Sequence, residues 1–293
     1  MTIWPSIVEQ IQHASGLSLD PGQVNSVSGG CINSAYLLGS KNDRVFIKIN
    51  RAEQLSMFEA EAAGLAAMAE AGAIYIPAVF CTGTSGDKAF IAMQAITLGP
   101  PKHDSYREFG FQLAAMHRHH ESRYGASLDN TIGSTPQPNN WSTSWFDFWR
   151  KHRLGYQLAL AEKNRAPTSL IDAGSELNAC FEALFETPPE ASCLHGDLWS
   201  GNWGFDQDGR PVLFDPAHYF GDREADLAMT DLFGGPPADF YRAYDEVYPL
   251  QAGSPLRKTF YNIYHVLNHY NLFGGGYATQ ANNMIQNVLS ELR

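Results

Sequence analysis

Two polar segments separated by a short turn lie in the second half of the chain. The first is Leu194-His-Gly-Asp-Leu-Trp-Ser-Gly-Asn-Trp203, and the second is Leu213-Phe-Asp-Pro-Ala217. Between them lies Asp206-Gln-Asp-Gly209, and the pair Asp-Gly is a strong signal for a hairpin turn. A hairpin over Asn202 to Phe214 is therefore predicted, with polar residues gathered at its open end.

The spacing of three polar residues in these segments is typical of phosphoryl transfer. Asn202 follows Asp197 by five residues, as in the catalytic-loop pattern H-R-D-x-x-x-x-N, and Asp215 comes 13 residues after Asn202. Phosphoryl transfer needs a carboxylate to accept the hydroxyl proton and oxygen ligands for Mg²⁺. The alternative interpretation is that His195 to Asp197 form an ordinary polar turn and that Asp215 only ends a strand. In that case the agreement of both intervals with the kinase pattern would be a coincidence.

A lysine lies in a strand pattern near the start of the chain. In Val45-Phe-Ile-Lys-Ile49 the charge of Lys48 is costly among apolar β-forming residues unless it contacts an anion such as a nucleotide phosphate. Glu61, 13 residues later on a predicted helix, is expected to orient this lysine, and Glu59 is the competing candidate. Upstream, Gly29-Gly30 can expose backbone N–H groups to a phosphate, although two glycines also fit an ordinary hairpin turn.

Hydrophobic periodicity divides the chain into two parts. Five short β-type runs and one helical pattern, Ala52 to Ala71, occupy the first hundred residues. Beyond a hinge predicted at Ile96 to Pro101, helical periodicity prevails. We therefore expect an α+β fold with two lobes and a cleft between them. The N-terminal lobe, residues 1–96, is expected to hold an antiparallel sheet with one helix, and the C-terminal lobe, residues 97–293, to be mostly helical.

The helices of the second part begin with a predicted capping box, in which Ser105 precedes Glu108 by three residues. Further helical patterns span Ser144 to Lys163, Gly174 to Phe185, Asp222 to Phe233, Pro237 to Val247 and Pro255 to Phe273. Three histidines at the end of the first helix are expected to complement its negative dipole end rather than to bind a metal: His117, His119 and His120.

Composition narrows the classes of protein. The 293 residues include 31 acidic and 20 basic ones, and the net charge of −11 would repel a polyphosphate backbone, so nucleic-acid binding is not expected. This charge is spread along the chain, with −3 on residues 1–100 and −8 on residues 101–293. No signal peptide or membrane span is predicted. Four cysteines match neither a zinc pattern nor a disulfide framework, which favours reduced thiols in a cytoplasm: Cys31, Cys81, Cys180 and Cys193.

Taken together, the motifs resemble those of the fructosamine kinase (ketosamine-3-kinase) family, a branch of the protein-kinase-like fold shared with aminoglycoside phosphotransferases and choline kinases. The string His-Gly-Asp-Leu-Trp-Ser-Gly-Asn is the most specific element, and the departures are Gln94-Ala95 and His218. The similar stretches run almost end to end: Gly29 to Asn33, Val45 to Asn50, Met57 to Glu61, Leu194 to Asn202, Phe214 to Ala217, Phe233 to Gly235 and Leu267 to Phe273.

The resemblance implies a fold, a reaction and two cofactors. The reaction is ATP- and Mg²⁺-dependent phosphorylation of the sugar 3-hydroxyl of a ketosamine, the Amadori product of an amine with glucose or ribose. The 3-phosphate is unstable and eliminates, which frees the amine, so the family acts in deglycation and protein repair. The implied partner is a small-molecule or protein-bound ketosamine. From the sequence itself we expect no nucleic-acid or membrane partner, and we expect a monomer or weak homodimer.

The resemblance also implies a role for each matching residue. Asp197 would be the base, Asn202 and Asp215 the Mg²⁺ ligands, and Lys48 the phosphate-binding cation with Glu61 as its partner. Main-chain groups of Gln94, Ala95 and Ile96 would receive adenine. Asp226 would accept hydrogen bonds from the catalytic-loop backbone, which His195 also supports. Trp199 would either face a sugar ring or pack in the core.

Two other functions stay open from the sequence. One is a kinase for a different hydroxylated amine, such as an aminoglycoside or a choline-like compound, because the acidic lower lobe suits cationic substrates in general. The other is a pseudokinase that binds ligands without turnover. The presence of the lysine, the base and both metal ligands argues against this second alternative.

Overall fold

The computed structural model describes residues 3–27, 33–39 and 43–293. Three residues with sequence predictions lie outside these ranges: Gly29, Gly30 and Cys31.

A five-stranded antiparallel sheet forms the first part of the structure, with the strand order β1-β2-β3-β5-β4. Its members are β1 (Val24–Val27), β2 (Ser34–Leu38), β3 (Val45–Arg51), β4 (Val79–Ser85) and β5 (Lys88–Gln94). All five lie within a few residues of the predicted runs. Alternation explains why β3 suits this place: Val45, Ile47 and Ile49 are buried on one face, which leaves Phe46 and Lys48 on the other.

Two helices cover the two faces of this sheet. The first, α1 (Trp4–Ser15), packs Ile7 and Ile11 against the buried face of β3, and Gly16 ends it with a φ of +72°. The second, α2 (Leu55–Glu70), packs Phe58 and Met68 against the opposite face. The sequence analysis predicted α2 but missed α1, so the expected single helix of this lobe is corrected to two within its described residues.

Eight helices are described in the second part of the chain. The predicted helix over Ser144 to Lys163 is helical throughout residues 145–163 and contains a π-helical turn at Arg150–Leu154, whereas the last helix was not predicted. The eight are α3 (Ser105–His117), α4 (Trp145–Trp149), α5 (Gly155–Lys163), α6 (Thr168–Cys180), α7 (Glu224–Leu232), α8 (Ala238–Val247), α9 (Ser254–Phe273) and α10 (Tyr277–Leu292). Among the described residues, no helix joins the length to the apolar character that crossing a bilayer requires.

The predicted capping box at the start of α3 is wrong. Asp104 is the N-cap residue, and its side chain makes no capping hydrogen bond. The hydroxyl of Ser105 accepts a hydrogen bond from the backbone N–H of Lys102 (2.8 Å) and donates to the carbonyl of Gly209 (2.5 Å). This serine therefore ties the start of the helix to the hairpin turn.

Among the residues that the structure describes, short strands form three further antiparallel sheets, and of these only the β11–β12 hairpin was predicted. The sheet orders are β13-β10-β7, β12-β11-β6 and β8-β9. Since β6 lies inside the predicted hinge and pairs with β11, it supports a lobe boundary near residue 96, which stays a prediction. The strands are β6 (Leu98–Gly99), β7 (His120–Glu121), β8 (Asn130–Ile132), β9 (Thr135–Gln137), β10 (Ala191–Leu194), β11 (Trp203–Asp206), β12 (Pro211–Leu213) and β13 (Tyr219–Gly221).

The two parts together form the expected α+β, two-lobed arrangement. In the C-terminal lobe, α7 is buried along most of its length beneath the loop that joins β10 to β11. An ion pair between Arg257 on α9 and Glu224 on α7, with 2.7 Å between Nη2 and Oε1, fixes these two helices against each other. The packed helices α7 and α9 thus support the loop that carries the polar motif.

Candidate active site

Lys48 joins the two lobes across the cleft. Its Nζ donates to Oε1 of Glu61 on α2 (2.7 Å) and to Oδ1 of Asp215, which follows β12. Burial alone would lower the pKa of Lys48, but the two carboxylates outweigh burial and raise it above its ordinary value. The ammonium therefore stays charged. Glu59, the competing partner, is exposed on the far side of the helix.

Asp197 and Asn202 lie together on the loop between β10 and β11. The Asn202 amide nitrogen donates to the backbone carbonyl of Asp197 (2.8 Å) and to its Oδ2 (3.1 Å). A longer bond of 3.4 Å runs from the same nitrogen to the carbonyl of Asp215. Because the nitrogen is engaged in this way, the amide oxygen of Asn202 is the atom left to bind a cation.

The surroundings of Asp197 suit a general base. Burial raises the pKa of its carboxyl to about 7, the hydrogen bond from Asn202 opposes the rise, and the charges of Asp215 and Asp226 add to it. Proton transfer is most efficient when the pKa of the base lies near the working pH. Asp197 is therefore poised to take up a proton at neutral pH.

Asp226 lies beneath the loop and holds its backbone. Its Oδ2 accepts from the N–H of His195 (2.7 Å), and its Oδ1 accepts from the N–H of Gly196 (2.8 Å). Burial alone would raise the pKa of Asp226, but the hydrogen bonds and the nearby imidazoles lower it below the ordinary value. The carboxylate thus stays ionised in the interior.

His117, which the sequence analysis assigned only to the dipole end of α3, is also a member of this arrangement. It is fully buried at the end of α3, where Nε2 lies 3.2 Å from Oδ2 of Asp226 and Nδ1 lies 2.7 Å from the hydroxyl of Tyr244. It therefore orients the carboxylate that holds the loop. No spacing rule signals such a contact, because its partners lie 109 and 127 residues away.

His195 and Gly196 connect the loop to the segment that carries Asp215. His195 Nε2 donates to the carbonyl of Phe214 (2.9 Å), and Nδ1 accepts from the N–H of Asp197 (3.2 Å). Burial lowers the pKa of His195, which keeps this neutral form. Gly196 has a φ of +84°, and a Cβ there would lie 2.1 Å from the carbonyl oxygen of Ala217. Only glycine fits that position.

Trp199 lies on the same loop, and its side chain is 40% exposed. It is not part of the core, so the indole is available to a ligand. The contact with a sugar ring stays a prediction.

The main chain at the end of β5 is partly engaged already. The N–H of Gln94 donates to Ala78 (2.8 Å), and that of Ala95 donates to Arg44 (3.3 Å). Of the three residues expected to receive adenine, Ile96 is the one whose N–H has no partner within the described ranges. Adenine would therefore meet that group and the carbonyls of this stretch.

The donor set at the cleft fits a magnesium ion. The amide oxygen of Asn202 and the carboxylate of Asp215, which is 45% exposed, are hard oxygen ligands. In the described part of the chain, no three or more His, Cys, Asp and Glu side chains cluster in a way that could hold a metal. A cation at Asn202 and Asp215 would accordingly need further oxygens from phosphate groups or water, as Mg²⁺ commonly does.

Comparisons with known proteins agree with this geometry. The sequence profile of the fructosamine kinase family matches residues 3–291. A "Probable ketoamine kinase" of Synechocystis sp. is 45% identical over 287 residues, which cover 98% of this chain and 97% of the relative. The chloroplastic protein-ribulosamine 3-kinase of Oryza sativa subsp. indica is 43% identical over 278 residues, 92% of this chain and 80% of the relative. The crystal structure of a candidate fructosamine-3-kinase from Haemophilus somnus has a TM-score of 0.86 at 31% identity and covers 98% of this chain and 97% of that chain.

Proposed function

The chain belongs to the fructosamine kinase family, and from this premise we propose that it transfers a phosphoryl group from ATP to the 3-hydroxyl of ketosamines. Relatives named as a ketoamine kinase and a ribulosamine 3-kinase support the substrate class and the position on the sugar. The resulting 3-phosphate is unstable, and its elimination frees the amine. The protein would thereby act in deglycation.

The observation that carries this proposal is the meeting of Lys48 with Glu61 and Asp215 across the cleft. It brings a permanent cation for phosphate oxygens next to a loop on which Asp197 can reach a hydroxyl. Glu61 keeps the ammonium directed into the cleft. Asp197 accepts the proton of the sugar hydroxyl as that oxygen bonds to the γ-phosphorus of ATP, while the bond from this phosphorus to the bridging oxygen breaks and ADP leaves.

Asn202 and Asp215 would hold Mg²⁺, which neutralises charge on the phosphates and orients them for in-line transfer. The residues of the chain fit that ion because they supply oxygen donors in an acidic site. Lys48 offsets only part of the negative charge of Glu61, Asp215 and Asp197.

The remaining residues of the site would bind the adenine of ATP, its phosphates and the sugar of the acceptor. Gln94 to Ile96 would contact adenine through main-chain atoms, and the exposed indole of Trp199 would lie against the apolar side of the sugar. Gly29 and Gly30 would approach the phosphates. We further expect the protein to be cytoplasmic. We also expect it to be a monomer or weak homodimer, and sedimentation equilibrium measures this oligomeric state directly.

A substrate panel in an ATP-consumption assay tests the proposal. We expect turnover of ribulosyl-lysine or fructosyl-lysine and none of an aminoglycoside or choline. Phosphorylation of an aminoglycoside without any ketosamine turnover would overturn the substrate class. ATP binding with no turnover of any acceptor would instead identify a pseudokinase.

A further inference from the structure

The segment Asp215 to His218 begins with an unusual backbone conformation. Asp215 has a φ of +58°, in the left-handed region that is uncommon for residues other than glycine, although aspartate and asparagine adopt it more readily than most. Contacts that hold the following three residues therefore also hold the Asp215 carboxylate in place.

One side of this segment is bonded to the catalytic loop and the strand before it. The N–H of Ala217 donates to the carbonyl of His195 (3.0 Å), and Nδ1 of His218 donates to the carbonyl of Leu194 (2.7 Å). These bonds use one face of the segment and leave the carbonyls of Ala217 and His218 directed elsewhere.

The other side is bonded to two side-chain amides of the β8–β9 hairpin. Gln137 Nε2 donates to the carbonyl of Ala217 (3.1 Å), and Asn130 Nδ2 donates to the carbonyl of His218 (2.9 Å). Asn130 and Gln137 are directly opposite each other in the hairpin, and Gln137 Nε2 also donates to Asn130 Oδ1 (2.8 Å). Two adjacent amides thus hold two adjacent carbonyls.

The hydroxyl of Tyr264 on α9 completes this network. It donates to Gln137 Oε1 (2.6 Å), so both hydrogens and the oxygen of the Gln137 amide have partners. Gln137 is 1% exposed and Tyr264 is 3% exposed. A buried amide with all of its hydrogen-bonding atoms satisfied is fixed in one orientation, because rotation of the Gln137 amide would leave a buried polar group without a partner.

We infer that Gln137, Asn130 and Tyr264 form an amide clamp that sets the position of Asp215 for metal binding. They are positioning residues, since none of them contacts Asp215 itself. The clamp holds the carbonyls of Ala217 and His218, and through them the left-handed backbone at Asp215. This inference rests on the proposed role of Asp215 as a Mg²⁺ ligand.

Gln137→Met tests the clamp, because it keeps the length of the side chain and removes both amide donors. Titration calorimetry measures ADP affinity at increasing Mg²⁺ concentrations and so gives the Mg²⁺ concentration at half of the gain in affinity. We expect this Mg²⁺ requirement to rise about tenfold in the variant. ADP affinity without metal should stay unchanged, because the clamp does not contact the nucleotide. Asn178→Leu is the matched control, since it removes an amide that donates to Arg150 far from this segment, and its Mg²⁺ requirement should equal that of the unmodified protein.

A second readout does not depend on metal or turnover. Hydrogen exchange of the Ala217 amide in the metal-free protein should be faster in Gln137→Met than in the Asn178→Leu control. Tyr264→Phe removes only the hydroxyl that orients Gln137, and we expect a smaller change of about threefold in the Mg²⁺ requirement. This milder variant keeps the inference testable if Gln137→Met does not fold.

An unchanged Mg²⁺ requirement in the folded variants, with unchanged exchange at Ala217, would overturn the clamp. If Mg²⁺ has no effect on ADP binding in the unmodified protein, the proposed metal role of Asp215 fails instead. The exchange measurement then decides the clamp independently.

Discussion

Asp197 depends on its neighbours for both its place and its protonation state. Asn202 donates to its carboxyl, and Asp226 holds the backbone just before it. The same burial that fixes the side chain disfavours its charged form and raises its pKa to about 7. One environment therefore fixes the proposed base and brings its pKa close to neutrality.

Replacing the base should stop the reaction without preventing nucleotide binding. We expect Asp197→Asn to lower kcat by about 10²–10⁴, because the variant cannot accept the hydroxyl proton. Steady-state kinetics gives kcat, and calorimetry should show an ADP affinity close to that of the unmodified protein. An unchanged kcat would remove Asp197 from this role.

The raised pKa of Asp197 predicts a pH dependence with a definite sign. A base acts only when ionised, so kcat/KM should increase as pH rises through about 7 and should be roughly tenfold lower at pH 6 than at pH 8. The residual activity of Asp197→Asn should lack this limb. A profile that is flat from pH 6 to pH 8 would contradict the pKa.

Among the elements, α2 is positioned by a close approach to the segment that follows Asp215. At Gly64 a Cβ would lie 2.9 Å from Cβ of His218 and 3.3 Å from Cγ of Pro216. The helix can reach this depth only because residue 64 has no side chain. Glu61 lies one turn earlier on the same helix, so this contact sets its distance to Lys48.

A larger residue at this contact should separate the two elements. We expect Gly64→Val to displace α2, weaken the contact of Glu61 with Lys48 and lower kcat/KM by about tenfold or more, since overpacking a buried contact costs about 1–3 kcal/mol. Ala66→Val, on the exposed side of the same helix, is the matched control and should leave kcat/KM within about twofold. Equal activity of the two variants would show that α2 does not need this approach.

Elements with a strong local pattern could be predicted from the sequence, and those formed by distant contacts could not. The alternation of apolar residues predicts β3, and the turn Asp206 to Gly209 predicts the β11–β12 hairpin. Helix α1 could also have been predicted, because Ile7 and Ile11 show helical spacing. The strands β8 and β9 have three residues each and little pattern of their own.

The same distinction holds for the candidate site. Spacing along the chain was enough to propose four site residues, because the intervals match those of a known kinase motif: Lys48, Asp197, Asn202 and Asp215. Gln137 could not be found in this way, because its bond to Ala217 spans 80 residues and a single glutamine carries no signal of its partner.

At the scale of the whole molecule, both parts of the chain carry a net negative charge. The net charge is −11, and residues 101–293 hold 15 basic and 23 acidic residues, a balance of −8. This lobe supplies Asp197 and the loop that we propose to face the acceptor. A field of that sign attracts cationic substrates and weakens as salt increases.

Substrate charge should therefore control how strongly KM depends on salt. Between about 0.02 and 0.5 M salt, where the screening length falls several-fold, we expect KM for a ketosamine with a free second ammonium group to rise more than KM for its acetylated counterpart. The pair differs only in that charge, so steady-state kinetics on both gives the comparison. Parallel changes in the two KM values would show that the acidic lobe does not steer the acceptor.

The backbone at Asp215 also decides which inactive variant makes a useful reagent. Asparagine is among the few residues besides glycine and aspartate that readily adopt a left-handed φ, whereas alanine would strain the chain at +58°. Asp215→Asn would thus preserve the shape of the cleft while removing a carboxylate. Immobilised on a resin, such a chain would retain glycated amines from a mixture without consuming them, as an affinity matrix for early glycation adducts.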